Sequence, residues 1–215
     1  MIMRSTNPAK IVERFLSSSM KLNNTYREKL ARAILYFTKN VKNPSKVKIF
    51  KLLYFLDFEH FKQTGRSVTN LDYFAYDFGP VPKDLYQEIC DNIVPKDLAE
   101  LVTIVPFASE ESGKKGGMFS AKPKAKLDLS VFTPREKKIL ENLAFTFKDV
   151  DAKLISDVSH FKNHPWDRTI KNKGKLQKID YDLAIDSDAK ISLEDALRAS
   201  QERQEMIKAF PLKKQ

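Results

Sequence analysis

Apolar residues in this chain recur mostly at helical spacing, with one short stretch that alternates like a strand. From Tyr26 to Thr38, Leu30, Ile34 and Phe37 follow one another at steps of four and three, which predicts a helix with one buried face. Asn43-Pro44 predicts the next helix start, because Asn caps free N–H groups and Pro at the first helical position forfeits no hydrogen bond. Gly65 predicts its stop. Between them Ile49, Phe50, Leu52, Leu53, Tyr54, Phe55, Leu56 and Phe58 are apolar almost all round, so this helix is expected to be enclosed by other elements.

Downstream, Arg66 to Phe78 carries Tyr73, Phe74, Tyr76 and Phe78 and runs into Gly79-Pro80-Val81-Pro82, a rigid corner ahead of a helix expected from Pro82 to Asn92. Val102 to Phe107 reads as a strand, Ser109 to Gly117 as a hairpin tip, and Met118 to Leu129 as the returning strand, limited to an edge by Pro123. Thr133-Pro134-Arg135-Glu136 combines a capping box with Pro at the first helical position, and Ile139, Leu140, Leu143, Ala144 and Phe147 follow on one face. A further helix is expected from Asp151 to Phe161 with Leu154, Ile155 and Val158 inward, stopping at His164-Pro165-Trp166. Lys171 to Lys178 reads as a basic linker. The last helix is expected from Ser192 to Ala209, capped by Ser192 with Asp195 and burying Leu193, Ala196 and Leu197. Together these elements predict a mainly α fold, a compact helical bundle with one small inserted β-hairpin.

Length and composition sharpen this picture. With 215 residues and fifteen Phe, the chain can bury a core without disulfides or metals. Nothing approaches the roughly 20 apolar residues of a membrane span, and the first residues lack the apolar centre of a signal peptide, so a cytoplasmic protein with no membrane contact is expected. Cys90 is the single cysteine and reads as a small buried hydrophobe. The charge of +10 is concentrated early: the first 50 residues hold eleven Lys and Arg against Glu13 and Glu28. A basic face of that kind attracts an acidic protein surface or a nucleic acid, and also serves solubility alone.

Chemistry of a catalytic kind is not visible. No glycine-rich phosphate loop is present, and Gly113-Lys114-Lys115-Gly116-Gly117 lacks a strand-loop-helix setting. His160 and His164 lie four apart, yet Phe161 stands where a zinc protease motif has Glu, so packing at a helix end is preferred to metal binding. His60 is read as a packing or capping group. Asp57 and Glu59 lie two apart and face different directions on their helix, so they make no acid-base pair, and Ser17, Ser18 and Ser19 lack a nucleophile elbow. The expectation is a protein that is not an enzyme and carries no cofactor and no metal. A nucleic-acid reading rests on Arg27, Lys29, Arg32, Lys39, Lys42, Lys46 and Lys48, but the helix after Asn43 is too apolar to be a recognition helix.

The run Lys51 to Arg66, KLLYFLDFEHFKQTGR, followed by Tyr73 to Tyr86, YFAYDFGPVPKDLY, resembles the signature of the Panacea (SocA-like) antitoxin domain. Phe132 to Glu136 and His164 to Thr169 resemble that family's second half, so the resemblance covers roughly residues 28 to 170. It implies a cytoplasmic antitoxin of a bacterial or prophage toxin-antitoxin system that neutralises a neighbouring toxin through direct protein contact. In one branch the antitoxin instead delivers the toxin to a protease. The organisation expected is an N-terminal extension over residues 1–26, a Panacea-like helical domain over 27–175 with the hairpin at about 100–130, and a C-terminal segment over 176–215 whose helix packs on the domain. Physically, Leu52, Leu53 and Phe55 are expected in the core, while Gly65, Gly79, Pro80 and Pro82 shape turns. Arg66, Tyr73, Tyr76, Tyr86 and Arg168 combine reach with the residue types of interface hot spots and form the candidate partner surface. Trp166 joins them, although wedging the last helix against the core is the preferred reading for it.

Overall fold

In a computed structural model, which describes residues 25–108 and 115–209, the chain folds around one central helix. Helix α1 covers residues 25–40 and buries Leu30, Ile34 and Phe37, as their spacing predicts. Helix α2 (Lys46–Thr64) starts two residues later than Asn43-Pro44 suggests. Asn43 takes a positive φ of 49°, and the Ser45 side chain caps the helix by accepting from the Lys48 N–H. Its stop is Gly65, in the left-handed region at φ 68°, whose N–H reaches the Phe61 carbonyl at 2.8 Å. Leu52 and Leu53 are fully buried and Phe55 is half-buried. The expected N-terminal extension, its short helix at 8–16 and the tip residues 109–114 lie outside the described residues.

The fold is mainly α, with two small hairpins where the pattern predicts one. The unpredicted hairpin pairs β1 (Tyr73–Tyr76) with β2 (Gly79–Pro82) across the turn Asp77-Phe78. Pro80 and Pro82 make β2 look unsuited to a strand, since neither can donate to a ladder. Their partners explain why they are tolerated: Tyr73 and Ala75 direct their backbone groups to the other edge, where Leu176, Gln177 and Ile179 bond them at 2.8–2.9 Å. The two prolines therefore sit at the non-hydrogen-bonded positions of the β1–β2 pair.

The following helix, α3 (Lys83–Glu88), is shorter than the span to Asn92, because the chain turns at Ile89 and reaches a positive φ at Asn92. A short α4 (Lys96–Ala99) leads into the second hairpin, β3 (Val102–Ala108) with β4 (Lys115–Ala121). Strand β4 ends well before Leu129, since the chain turns at Lys122, whose carbonyl accepts from the Ala125 N–H. Cys90 is exposed rather than buried.

Helix α5 (Pro134–Thr146) carries the full capping box between Thr133 and Glu136. Helix α6 (Ala152–Ser159) is capped by Asp151 and buries Ile155, but it leaves Leu154 half exposed at 52%. His164-Pro165 opens a helix instead of ending one. In α7 (Pro165–Lys173), Pro165 holds the first position, so the supposed linker from Lys171 is partly helix and partly the edge strand-like segment 176–179. A 3-10 turn (Tyr181–Ala184) and α8 (Leu193–Ala209) complete the chain. Ser192 caps α8 as expected; Ala196 is buried against Gly65, whereas Leu193 and Leu197 are about half exposed. Helix α2 touches α5, α6, α8, β2, β4 and the 3-10 turn, which is why its apolar residues need no solvent face.

Candidate functional site

Four polar side chains of α2 are buried, and each is tied to backbone or polar groups elsewhere in the fold. Lys48 Nζ donates to the carbonyls of Lys42 at 2.7 Å and Lys148 at 3.2 Å, which fastens the α1–α2 loop to the end of α5. Lys51 Nζ donates to the Pro80 carbonyl at 2.8 Å, and burial pulls its ammonium down to about 7. Asp57 accepts from the Val68 N–H at 2.8 Å, the Thr69 N–H at 2.7 Å, the Thr69 hydroxyl and the Tyr73 hydroxyl at 2.8 Å. Burial still pushes its carboxyl up to about 6, because desolvation outweighs those donors. His60 Nδ1 lies 2.6 Å from the Arg66 carbonyl, and burial lowers its pKa.

The Lys51 and Asp57 joints hold the first hairpin at a fixed position on α2. Gly79 is where the fit is tightest: φ is 95°, and a Cβ there would stand 2.6 Å from Ser159 Oγ and 2.7 Å from both His160 Nε2 and Lys51 Nζ. Only glycine meets both demands. Sequence reasoning assigned Gly79, Pro80 and Pro82 to shape, and all three are buried. It passed over Lys51 and dismissed Asp57. A Lys and an Asp inside an otherwise apolar helix were the available signal, since neither is buried without a partner.

The six residues chosen as a partner surface do not form one patch. Tyr73 is a correction: it is fully buried with its hydroxyl on Asp57, because strand alternation turns it inward while Tyr76 stays half-buried. Tyr76 and Tyr86 do meet, with ring centroids 6.3 Å apart. Trp166 joins them through Nε1, which donates to the Tyr76 carbonyl at 3.0 Å, and its ring stacks on His160 at 4.2 Å. These contacts tie α7 to the end of α6 and to the first hairpin, whereas the expected wedge is of the last helix. Arg168 lies elsewhere, donating to the Leu183 carbonyl at 3.1 Å, and Arg66 is exposed just past the end of α2. Around the Tyr76–Tyr86 pair the hairpin turn displays Phe78 at 71% exposure, and Leu176 at 60% lines the same small depression as Tyr76 and Phe78.

The seven basic residues of the nucleic-acid reading are all engaged within the fold. Arg27 bonds Asp97 and Glu88, Lys29 bonds Glu136, Lys42 bonds Asp149, and Arg32 reaches the Lys126 carbonyl and Glu28. Lys39 donates to the Ala125 carbonyl and Lys46 to those of Ile89 and Cys90, while Lys48 is fully buried. Sequence alone counts these charges but cannot pair them. What reads as a basic face is in large part a set of internal ties. Among the described residues, no helix is long and apolar enough to cross a membrane.

A family model described as antitoxin SocA-like, Panacea domain, matches residues 49–167. It begins within α2 and ends at the start of α7, so it includes both hairpins and the joints made by Lys51, Asp57 and His60. No curated protein and no solved structure matches the chain.

Proposed function

The chain belongs to the antitoxin SocA-like, Panacea domain family, and from that premise we propose that it neutralises a cognate toxin by direct protein contact, without bond-making chemistry of its own. The observation that carries this reading is the aromatic and apolar surface of the first hairpin. Phe78 of the hairpin turn, Tyr86 of α3 and Leu176 of the adjoining segment are exposed around half-buried Tyr76, on a hairpin that the Lys51 and Asp57 joints hold in place. Exposed aromatic side chains on a rigid base suit an interface hot spot, since large apolar area is offered at little entropic cost. A nucleic-acid interface on Arg27 to Lys48 is disfavoured, because Lys29 and Lys48 are held by buried partners and Arg27 and Lys42 are already paired with carboxylates at the surface.

The test is co-expression with the protein encoded next to this chain. Growth arrest by that neighbour alone, rescue by this chain and co-purification of the pair are expected, and Phe78→Ala with Tyr86→Ala should abolish rescue while circular dichroism stays unchanged. A neighbour that is neither toxic nor bound would refute the reading. Toxin whose lifetime shortens in the presence of this chain, without a stable complex, would replace neutralisation with delivery to a protease.

A further inference from the structure

A groove of about 430 Å³ opens between α2, α5, α6, α7 and the 3-10 turn. Its volume falls within the range of small-molecule sites. Tyr54, Phe55, Phe58 and Phe147 supply its rings, with Leu143 and Val158 beside them. The Phe55 and Phe147 rings lie parallel, 5.3 Å apart at an interplanar angle of 3°, so they stack on one another and form an aromatic wall. The Tyr54 hydroxyl is buried and makes no hydrogen bond of full geometry. Only the Trp166 backbone amide acts on it nearby.

Charge at the rim is uneven. Lys62 is paired with Asp186 at 2.8 Å, and Glu59, exposed, accepts from the Gln63 amide at 2.7 Å. Arg168 lines the same groove and gives one N–H to the Leu183 carbonyl, but it takes part in none of the ion pairs among the described residues. A guanidinium with several donors left over, next to an aromatic and apolar wall, complements a molecule with a planar or alkyl body and an anionic head. We propose that this groove binds an anionic amphiphile, its apolar body against Phe55, Phe58 and Phe147 and its carboxylate or sulfonate on Arg168. This site is separate from the hairpin surface, and its occupancy does not depend on the antitoxin reading.

The full chain is titrated with 8-anilinonaphthalene-1-sulfonate, followed by displacement with laurate in one arm and 1-naphthoate in the other. One saturable site per chain is expected, with shifts at the Leu143 and Val158 methyl resonances. Displacement by laurate identifies an alkyl body and displacement by naphthoate an aromatic one. Loss of the charge-assisted contact in Arg168→Gln should weaken binding by about tenfold. Asn142 is an exposed lining residue, so Asn142→Trp should block the groove with the melting temperature unchanged. Absence of saturable binding, failure of both competitors, or unchanged affinity in both variants would overturn the proposal.

Discussion

Lys51 Nζ donates a 2.8 Å hydrogen bond to the carbonyl of Pro80, joining the middle of α2 to the first hairpin. It is a bond that the proline corner makes available. Pro80 sits opposite Ala75, whose own backbone groups are taken by Leu176 and Gln177, so the Pro80 carbonyl is left to accept from a side chain. A buried amine of this kind has a consequence for stability.

Burial holds Lys51 at about 7 in the fold against 10.5 when exposed. Between those values the unfolded chain binds a proton that the folded chain has released, so stability rises with pH from 7 upward. The slope is at most about 1.4 kcal/mol per pH unit. Lys51→Met should remove that rise. Urea unfolding of both chains at several pH values from 7 to 9 checks it, and equal slopes would mean that Lys51 stays charged in the fold.

Asp57 behaves in the opposite sense. Its carboxyl is raised to about 6 from 3.8, so the folded chain binds the extra proton in that window, and the stability it contributes falls as pH rises from 4 to 6. Asp57→Asn should cancel this pH dependence at a modest cost, because the amide oxygen still accepts from the Val68 and Thr69 N–H groups. Asp57→Ala leaves those donors and the Tyr73 hydroxyl without an acceptor and should destabilise by about 3 kcal/mol or more. Similar thermal unfolding for the two variants would show that the hydrogen bonds to Asp57 do not matter.

At Gly79, alanine meets both an unfavourable φ of 95° and three polar atoms within 2.7 Å of its Cβ. Gly79→Ala should therefore cost about 2 kcal/mol or more. Gly174→Ala is the control: φ is 91° there, but nothing lies within 4 Å of the added atom, so only the backbone strain applies. Comparing the melting temperatures of the two variants separates crowding from strain, and equal losses would remove the close approach at Gly79 from the account.

Much of the fold could be read directly from residue order. The Thr133-Glu136 capping box, the Gly65 stop and the Ser192 cap act within a few residues of themselves, so their effect survives whatever packs around them. The apolar circumference of α2 likewise announces an enclosed helix. Pro165 reads in the sequence as a helix stop, yet it opens α7, because proline is tolerated at a first helical position.

What the chain order by itself determined was the set of local signals and the apolar centre: periodicity and capping depend on neighbours three or four positions away. Tertiary structure alone decided which polar groups face one another. The β1–β2 hairpin is possible only because residues 176–179 cover the far edge of β1. Tyr73 turns inward to Asp57 rather than outward to a partner, and the early cluster of basic residues is bound up by Asp97, Glu136, Asp149 and distant carbonyls. Hydrogen bonds and ion pairs act over a few ångströms in space, and the distance along the chain carries no record of them.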